Sequence, residues 1–189
     1  MNITVYLGAC EGNDPTLREA VGKLGTWIGR SGNTLVYGGS KSGLMGVLAR
    51  SVIASGGEAI GVEPAFFVRE ELQYEELTRL IVTENMQERK AKMIELGDAF
   101  IALPGGTGTL DEISEIMCAV SLEHLDAPCI IYDHNGFYEG LKLLLGKMRE
   151  YGLSTEQRQK RIYFAESIDE ITDILAAAQS QEETYGKDT

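Results

Sequence analysis

Seven short β-branched or apolar runs, separated by longer stretches of helical periodicity, constrain the fold of this chain more than any other feature. They cover residues 3–7, 34–37, 59–62, 80–82, 99–103, 128–132 and 162–164. Helical segments fall between or after them at 15–31, 44–55, 85–96, 110–122, 137–151 and 168–178. Asp14 before Pro15 makes an N-cap and first-turn pair, and Ser167 with Glu170 has capping-box spacing. Strand, helix, strand repetition predicts an α/β fold, a doubly wound parallel sheet of about seven strands with helices on both faces. The fifth and sixth runs are apolar at consecutive positions, as strands covered on both sides require. No linker, repeat or low-complexity stretch interrupts residues 1–178, which read as one domain, while 179–189 read as a disordered acidic tail.

Charge narrows the partners. The chain has 17 Lys and Arg against 29 Asp and Glu, a formal charge of −12. Residues 165–189 carry −6 of this and residues 63–76 carry −4, so the rest is nearly neutral at −2. Acidic protein repels the phosphates of nucleic acid polymers and anionic membranes, which are therefore not expected as partners, whereas a small phosphate ester is compatible. The apolar runs fall far short of the ~20 residues that span a bilayer, and no basic leader opens the chain, so it reads as cytoplasmic. Cys10, Cys118 and Cys129 lack CxxC or His-paired spacing, which argues against a disulfide framework or zinc site. They are expected to be small buried hydrophobes, with no metal and no cofactor implied.

Ligands of doubly wound sheets bind beyond the carboxyl ends of the strands. Glycine, at 22 residues, exceeds the average of about 7%, and three strands run into glycine-bearing loops at 8–15, 38–46 and 104–109. Unhindered backbone N–H groups and the positive end of a following helix make each loop a candidate phosphate cradle. Neither GxGxxG after the first strand nor GxxxxGK[ST] occurs, which weakens dinucleotide oxidoreductase and P-loop readings.

In the helix over 85–96, Met86, Met93 and Gly97 centre one face, with Arg89 and Lys90 about 50° to either side of it. Glu88, Lys92 and Glu95 point away. The two cations either snorkel past the apolar stripe or reach inward to an anion, for which arginine offers a planar fork. Glu112 either closes a capping box on Thr109 or presents a carboxylate at the ligand end of the sheet. Lys41 either contacts phosphate or is a solvated loop lysine. His124 and His134 read as surface residues, Tyr132, Phe137 and Tyr138 as packing residues, and Met45, Met86, Met93 and Met117 as core or interface filler.

Three segments resemble the LOG (Lonely Guy) family of nucleoside 5′-monophosphate phosphoribohydrolases, also labelled lysine decarboxylase-like. They are Tyr37-Gly38-Gly39 through Gly43-Leu44-Met45-Gly46, then Met86-Gln87-Glu88-Arg89-Lys90-Ala91-Lys92-Met93, and Pro104-Gly105-Gly106-Thr107-Gly108-Thr109-Leu110-Asp111-Glu112. The resemblance implies a Rossmann-like fold, a homodimer with the site near its interface, and cleavage of a purine-type riboside 5′-monophosphate (AMP or a cytokinin nucleotide) to free base and ribose 5-phosphate. It implies that Arg89 and Glu112 are catalytic. It assigns substrate binding to Gly39, Lys41, Lys90, Gly105, Gly106, Thr107, Gly108 and Thr109, and a further acidic ligand to Glu71, with Glu70 the alternative. Ser40 replaces a family glycine, and Gly8-Ala9-Cys10 replaces Gly-Ser-Ser, which removes hydroxyls from the first loop. A non-catalytic nucleotide or cofactor carrier on the same scaffold is the alternative function. True lysine decarboxylation would need a lysine Schiff base with pyridoxal phosphate.

Overall fold

The computed structural model describes residues 1–70 and 72–185. Seven strands, β1 (Asn2–Tyr6), β2 (Thr34–Tyr37), β3 (Glu58–Pro64), β4 (Arg79–Thr83), β5 (Ala99–Ala102), β6 (Cys129–Tyr132) and β7 (Ile162–Ala165), form one parallel sheet in the order β4-β3-β2-β1-β5-β6-β7. The helices are α1 (Pro15–Arg30), α2 (Gly43–Ala54), α3 (Ala65–Arg69), α4 (Met86–Leu96), α5 (Thr107–Ser121), α6 (Glu139–Glu150), α7 (Glu156–Gln159) and α8 (Ile168–Tyr185). This is the predicted α/β, Rossmann-like, doubly wound sheet. All seven predicted strands occur, with ends displaced by at most two residues.

Alternation along the strands builds two cores. Ile3 and Val5 of β1, Leu35 and Tyr37 of β2, Ile101 of β5 and Ile130 of β6 face one layer with Val21, Leu24 and Leu48 of α1 and α2 and Ile171 of α8. Tyr6, Val36, Phe100 and Ile131 face the other with Met93 of α4, Ile113 and Ile116 of α5 and Leu145 of α6. Burying both faces is what makes the strand runs apolar throughout. Two of the surplus glycines serve packing, because α1 lies so close to α2 that a Cβ at Gly25 would come within 2.7 Å of Leu48 O and one at Gly29 within 2.6 Å of Val52 O.

Several expectations are corrected. The short α3 and α7, each too brief to show a helical period, were not read from the sequence. Helix α5 starts at Thr107, three residues before the predicted 110, because extended Gly106 serves as N-cap. Helix α8 continues through Tyr185, past the expected end at 178 and into the segment expected to be a disordered tail, of which residues 186–189 lie outside the described residues. Of the cysteines only Cys129 is buried, and Cys10 and Cys118 are exposed because one lies in the loop after β1 and the other on the outer side of α5. No helix among the described residues is long and apolar enough to cross a membrane.

Candidate active site

The chain reverses its direction of winding between β1 and β5, neighbours in the sheet that lead into different loops. Such a switch point leaves a crevice beyond the strand ends. Here it is a cavity of about 770 Å³, walled by the loop after β1, by Gly38 and Met45, by Met86, Arg89 and Met93 of α4, by residues 104–109 and Glu112, and by His134, Asn135 and Phe137 after β6.

Arg89 and Glu112 meet on its wall. Both are 8% exposed, and Arg89 Nη1 donates to Glu112 Oε1 at 2.6 Å while Arg89 Nε donates to Val62 O at 2.9 Å. A Cβ on Gly38 would overlap Arg89 Nη2, so the second glycine loop is needed to seat the guanidinium. Burial raises the Glu112 carboxyl above the usual carboxylate range, with Arg89 pulling it back. The inward reading of Arg89 and Glu112 therefore holds, and the capping box does not form: with α5 starting at Thr107, Glu112 lies beyond its first turn and faces α4.

The predicted binding loop is in place. Gly105, Gly106, Thr107, Gly108 and Thr109 all line the cavity, and no side chain caps the first turn of α5. The hydrogen-bonding capacity of that turn and the positive end of the helix dipole suit an anion. Other residues stand elsewhere. Lys90 reaches across to α5, donating to Asp111 at 2.9 Å and pairing with Glu115 at 3.1 Å, and those acids raise its pKa. Lys41 pairs with Glu75 at 3.3 Å on the surface. Gly39 lies behind the cavity wall, against Glu63. Glu71 lies outside the described residues, and Glu70 is exposed.

Sequence reasoning missed four residues. His134, expected at the surface, lines the cavity with its side chain 12% exposed; Nε2 lies 3.1 Å from Asp14 Oδ2 and Nδ1 lies 3.0 Å from the Tyr132 hydroxyl. Asp14, read only as a helix cap, also bonds Asn135, and its hydrogen bonds with Thr16 lower its carboxyl to about 2. Phe137, expected to pack, is 55% exposed and lines the cavity because its ring stands edge-on to buried Tyr138 at the rim. Glu63 is 1% exposed at the end of β3, and burial pushes its carboxyl up to about 7. One signal was available for Asp14, His134 and Phe137, which lie in loops that follow the carboxyl ends of β1 and β6, where ligands of such sheets bind, whereas Glu63 lies within β3 itself.

Comparison with known proteins identifies the family. The family model described as "Possible lysine decarboxylase" matches residues 45–175. A cytokinin riboside 5′-monophosphate phosphoribohydrolase of Rhodococcoides fascians is 37% identical over 89% of this chain and 85% of its own. Its namesake from Mycobacterium marinum is 34% identical over 92% of each. Among solved structures, a molybdenum cofactor binding protein of Rippkaea orientalis superposes with a TM-score of 0.68 at 21% identity, covering 93% of this chain and 95% of that one. A molybdenum cofactor carrier protein of Chlamydomonas reinhardtii gives 0.69 at 17%, covering 95% and 98%. At these identities the two structures share the fold.

Proposed function

This chain belongs to the family of cytokinin riboside 5′-monophosphate phosphoribohydrolases, and from that premise we propose that it hydrolyses the N-glycosidic bond of a purine-type riboside 5′-monophosphate, AMP or a cytokinin nucleotide. The observation that carries this reading is the buried Arg89–Glu112 pair on the wall of a cavity that the uncapped start of α5, the helix that bears Glu112, also lines.

In this reading the 5′-phosphate lies on Gly105, Gly106, Thr107, Gly108 and Thr109, which brings the ribose toward Glu112. Hydrolysis breaks the bond between C1′ and the base nitrogen, places water's hydroxyl on C1′ and delivers its proton to the base. The transition state gathers positive charge on the ribose, so a carboxylate beside C1′ stabilises it or activates the water. Glu112 has that role. Arg89 stays protonated at every working pH, so it is no proton donor; it orients Glu112 and counters the phosphate. Tyr6 also lines the cavity, and burial with Glu112 nearby raises its pKa, so its hydroxyl remains a donor. Lys90 acts through Asp111 and Glu115 on the outer side of α5. Lys41 and Gly39 shape the second loop, and the family resemblance assigns a further acidic contact to Glu71, with Glu70 the alternative.

We further propose a cytoplasmic homodimer with the site near its interface; exposed Met86 and Leu110, next to the cavity on α4 and α5, provide an apolar rim for it. A carrier would need the glycine loops without the buried Arg89–Glu112 pair, which favours the hydrolase. Incubation with nucleoside monophosphates followed by chromatography decides: release of free base and ribose 5-phosphate is expected, and recovery of intact, bound nucleotide would establish the carrier instead.

A further inference from the structure

Glu63 is buried to 1% exposure, and its Oε2 has no hydrogen-bond partner among the described residues. Burying an acid without a donor is costly, and such groups call for an explanation. Its neighbours supply one. The carboxylate lies against Gly39, a left-handed glycine at φ 87° where an added Cβ would fall 3.3 Å from Glu63 Cβ and 3.4 Å from its Oε2. The charged group acting on it is Arg89 from α4, and its own charge bears in turn on Tyr37 of β2, which Tyr74 and Arg50 also reach. Arg89 donates its Nε–H to the carbonyl of Val62, the residue just before Glu63. The guanidinium is thus bonded to the buried carboxylate of Glu112 and, without a bond to it, is the cation whose charge acts on Glu63. One cation serves two acids.

We propose that Glu63 is a positioning residue acting through Arg89: when protonated it leaves the guanidinium to Glu112 and the cavity, and when ionised it competes for that cation and opposes a bound phosphate. Burial, countered by Arg89, puts the Glu63 changeover at about 7. Substrate affinity and turnover therefore fall on the alkaline side of neutrality. The proposal rests on the phosphoribohydrolase reading of this site.

Two measurements test it. In the first, kcat and KM for base release from AMP are followed between about pH 6 and 8.5 for the wild type and for Glu63→Gln, the neutral isostere of the protonated side chain. The wild type is expected to lose roughly tenfold in kcat/KM across this range while E63Q changes by less than about twofold. A constant offset between parallel profiles would mean a merely structural role and would overturn the proposal. In the second, infrared titration of the wild-type protein is expected to lose a carboxylic-acid carbonyl band between about pH 6 and 8, a band absent from E63Q. No such loss overturns the proposal without reference to activity and without needing the variant to fold. A wild type that releases no base from any nucleotide counts against the functional reading, and the infrared titration still decides the state of Glu63.

Discussion

Arg89 and Glu112 are joined at 2.6 Å with both side chains about nine-tenths buried, yet they come from different helices, α4 and α5, that approach the cavity from separate strands. A pair so placed is costly to desolvate and is strongly destabilising when one partner is removed. Its position on the wall of the cavity gives that cost a use in the proposed hydrolysis, where it would fix a carboxylate beside the developing charge.

Glu112→Gln is expected to keep the fold and to lose base release from AMP by a factor on the order of 10² to 10⁴. Gln retains the volume and can still accept a hydrogen bond from Arg89, so the circular dichroism spectrum should not change. Chromatography of free adenine measures the loss. Turnover near the wild-type rate would remove Glu112 from the chemistry.

Arg89→Met leaves the Glu112 carboxylate buried without its cation. Destabilisation of about 3–5 kcal/mol is expected, as for other broken buried pairs, which for a chain of this size lowers the melting temperature by roughly 10 °C. Adding Glu112→Gln to Arg89→Met should recover part of that loss, because the orphaned charge disappears. Additive losses in the double variant, read by thermal or denaturant unfolding, would show that the two side chains are energetically independent.

The parts of this arrangement differ in how legible they were. The parallel sheet was readable because each strand is buried on both faces, which turns Ile101, Ala102 and Leu103 or Ile130, Ile131 and Tyr132 into unbroken apolar runs. Arg89 was readable because helical projection set it toward Met93 and away from Glu88. Glu112 was ambiguous because the same spacing fits a capping box, and what decided it was the start of α5 at Thr107, a backbone property of Gly106. Glu63 was invisible to pattern reading: a charged residue at the end of β3 gives no periodic signal, and its burial depends on the Gly39 loop folding over it. Lys90 illustrates the opposite case, flanking the inward face by projection but drawn off by Asp111 and Glu115 on a neighbouring helix.

Stability should depend on pH through Glu63. Its folded pKa of about 7 lies above its ordinary 4.5, so the native state holds the proton more tightly than the unfolded chain. The contribution is therefore fully present below about pH 4.5 and is lost as pH rises through about 7. Relative to Glu63→Gln, the wild-type melting temperature should fall between about pH 5 and 8. Parallel curves for the two proteins across this range would contradict the raised pKa.

Gly38 is expected to tolerate no side chain. A Cβ there would overlap Arg89 Nη2 and lie 2.9 Å from Met45 Sδ. Arg89 has no easy retreat, because it is tied on one side to Val62 O and on the other to Glu112, so the guanidinium must turn and carry Glu112 with it. Gly38→Ala should cost about 1–3 kcal/mol in stability, the usual range for overpacking. It should also cut kcat by roughly 10²-fold, since displacing a catalytic group by about 1 Å is enough for that. The two effects separate experimentally: assays well below the melting temperature isolate the kinetic loss, and denaturant unfolding isolates the other. An alanine variant with wild-type kcat would mean that Arg89 can move without disturbing Glu112, and the guanidinium would then have no part in positioning the carboxylate.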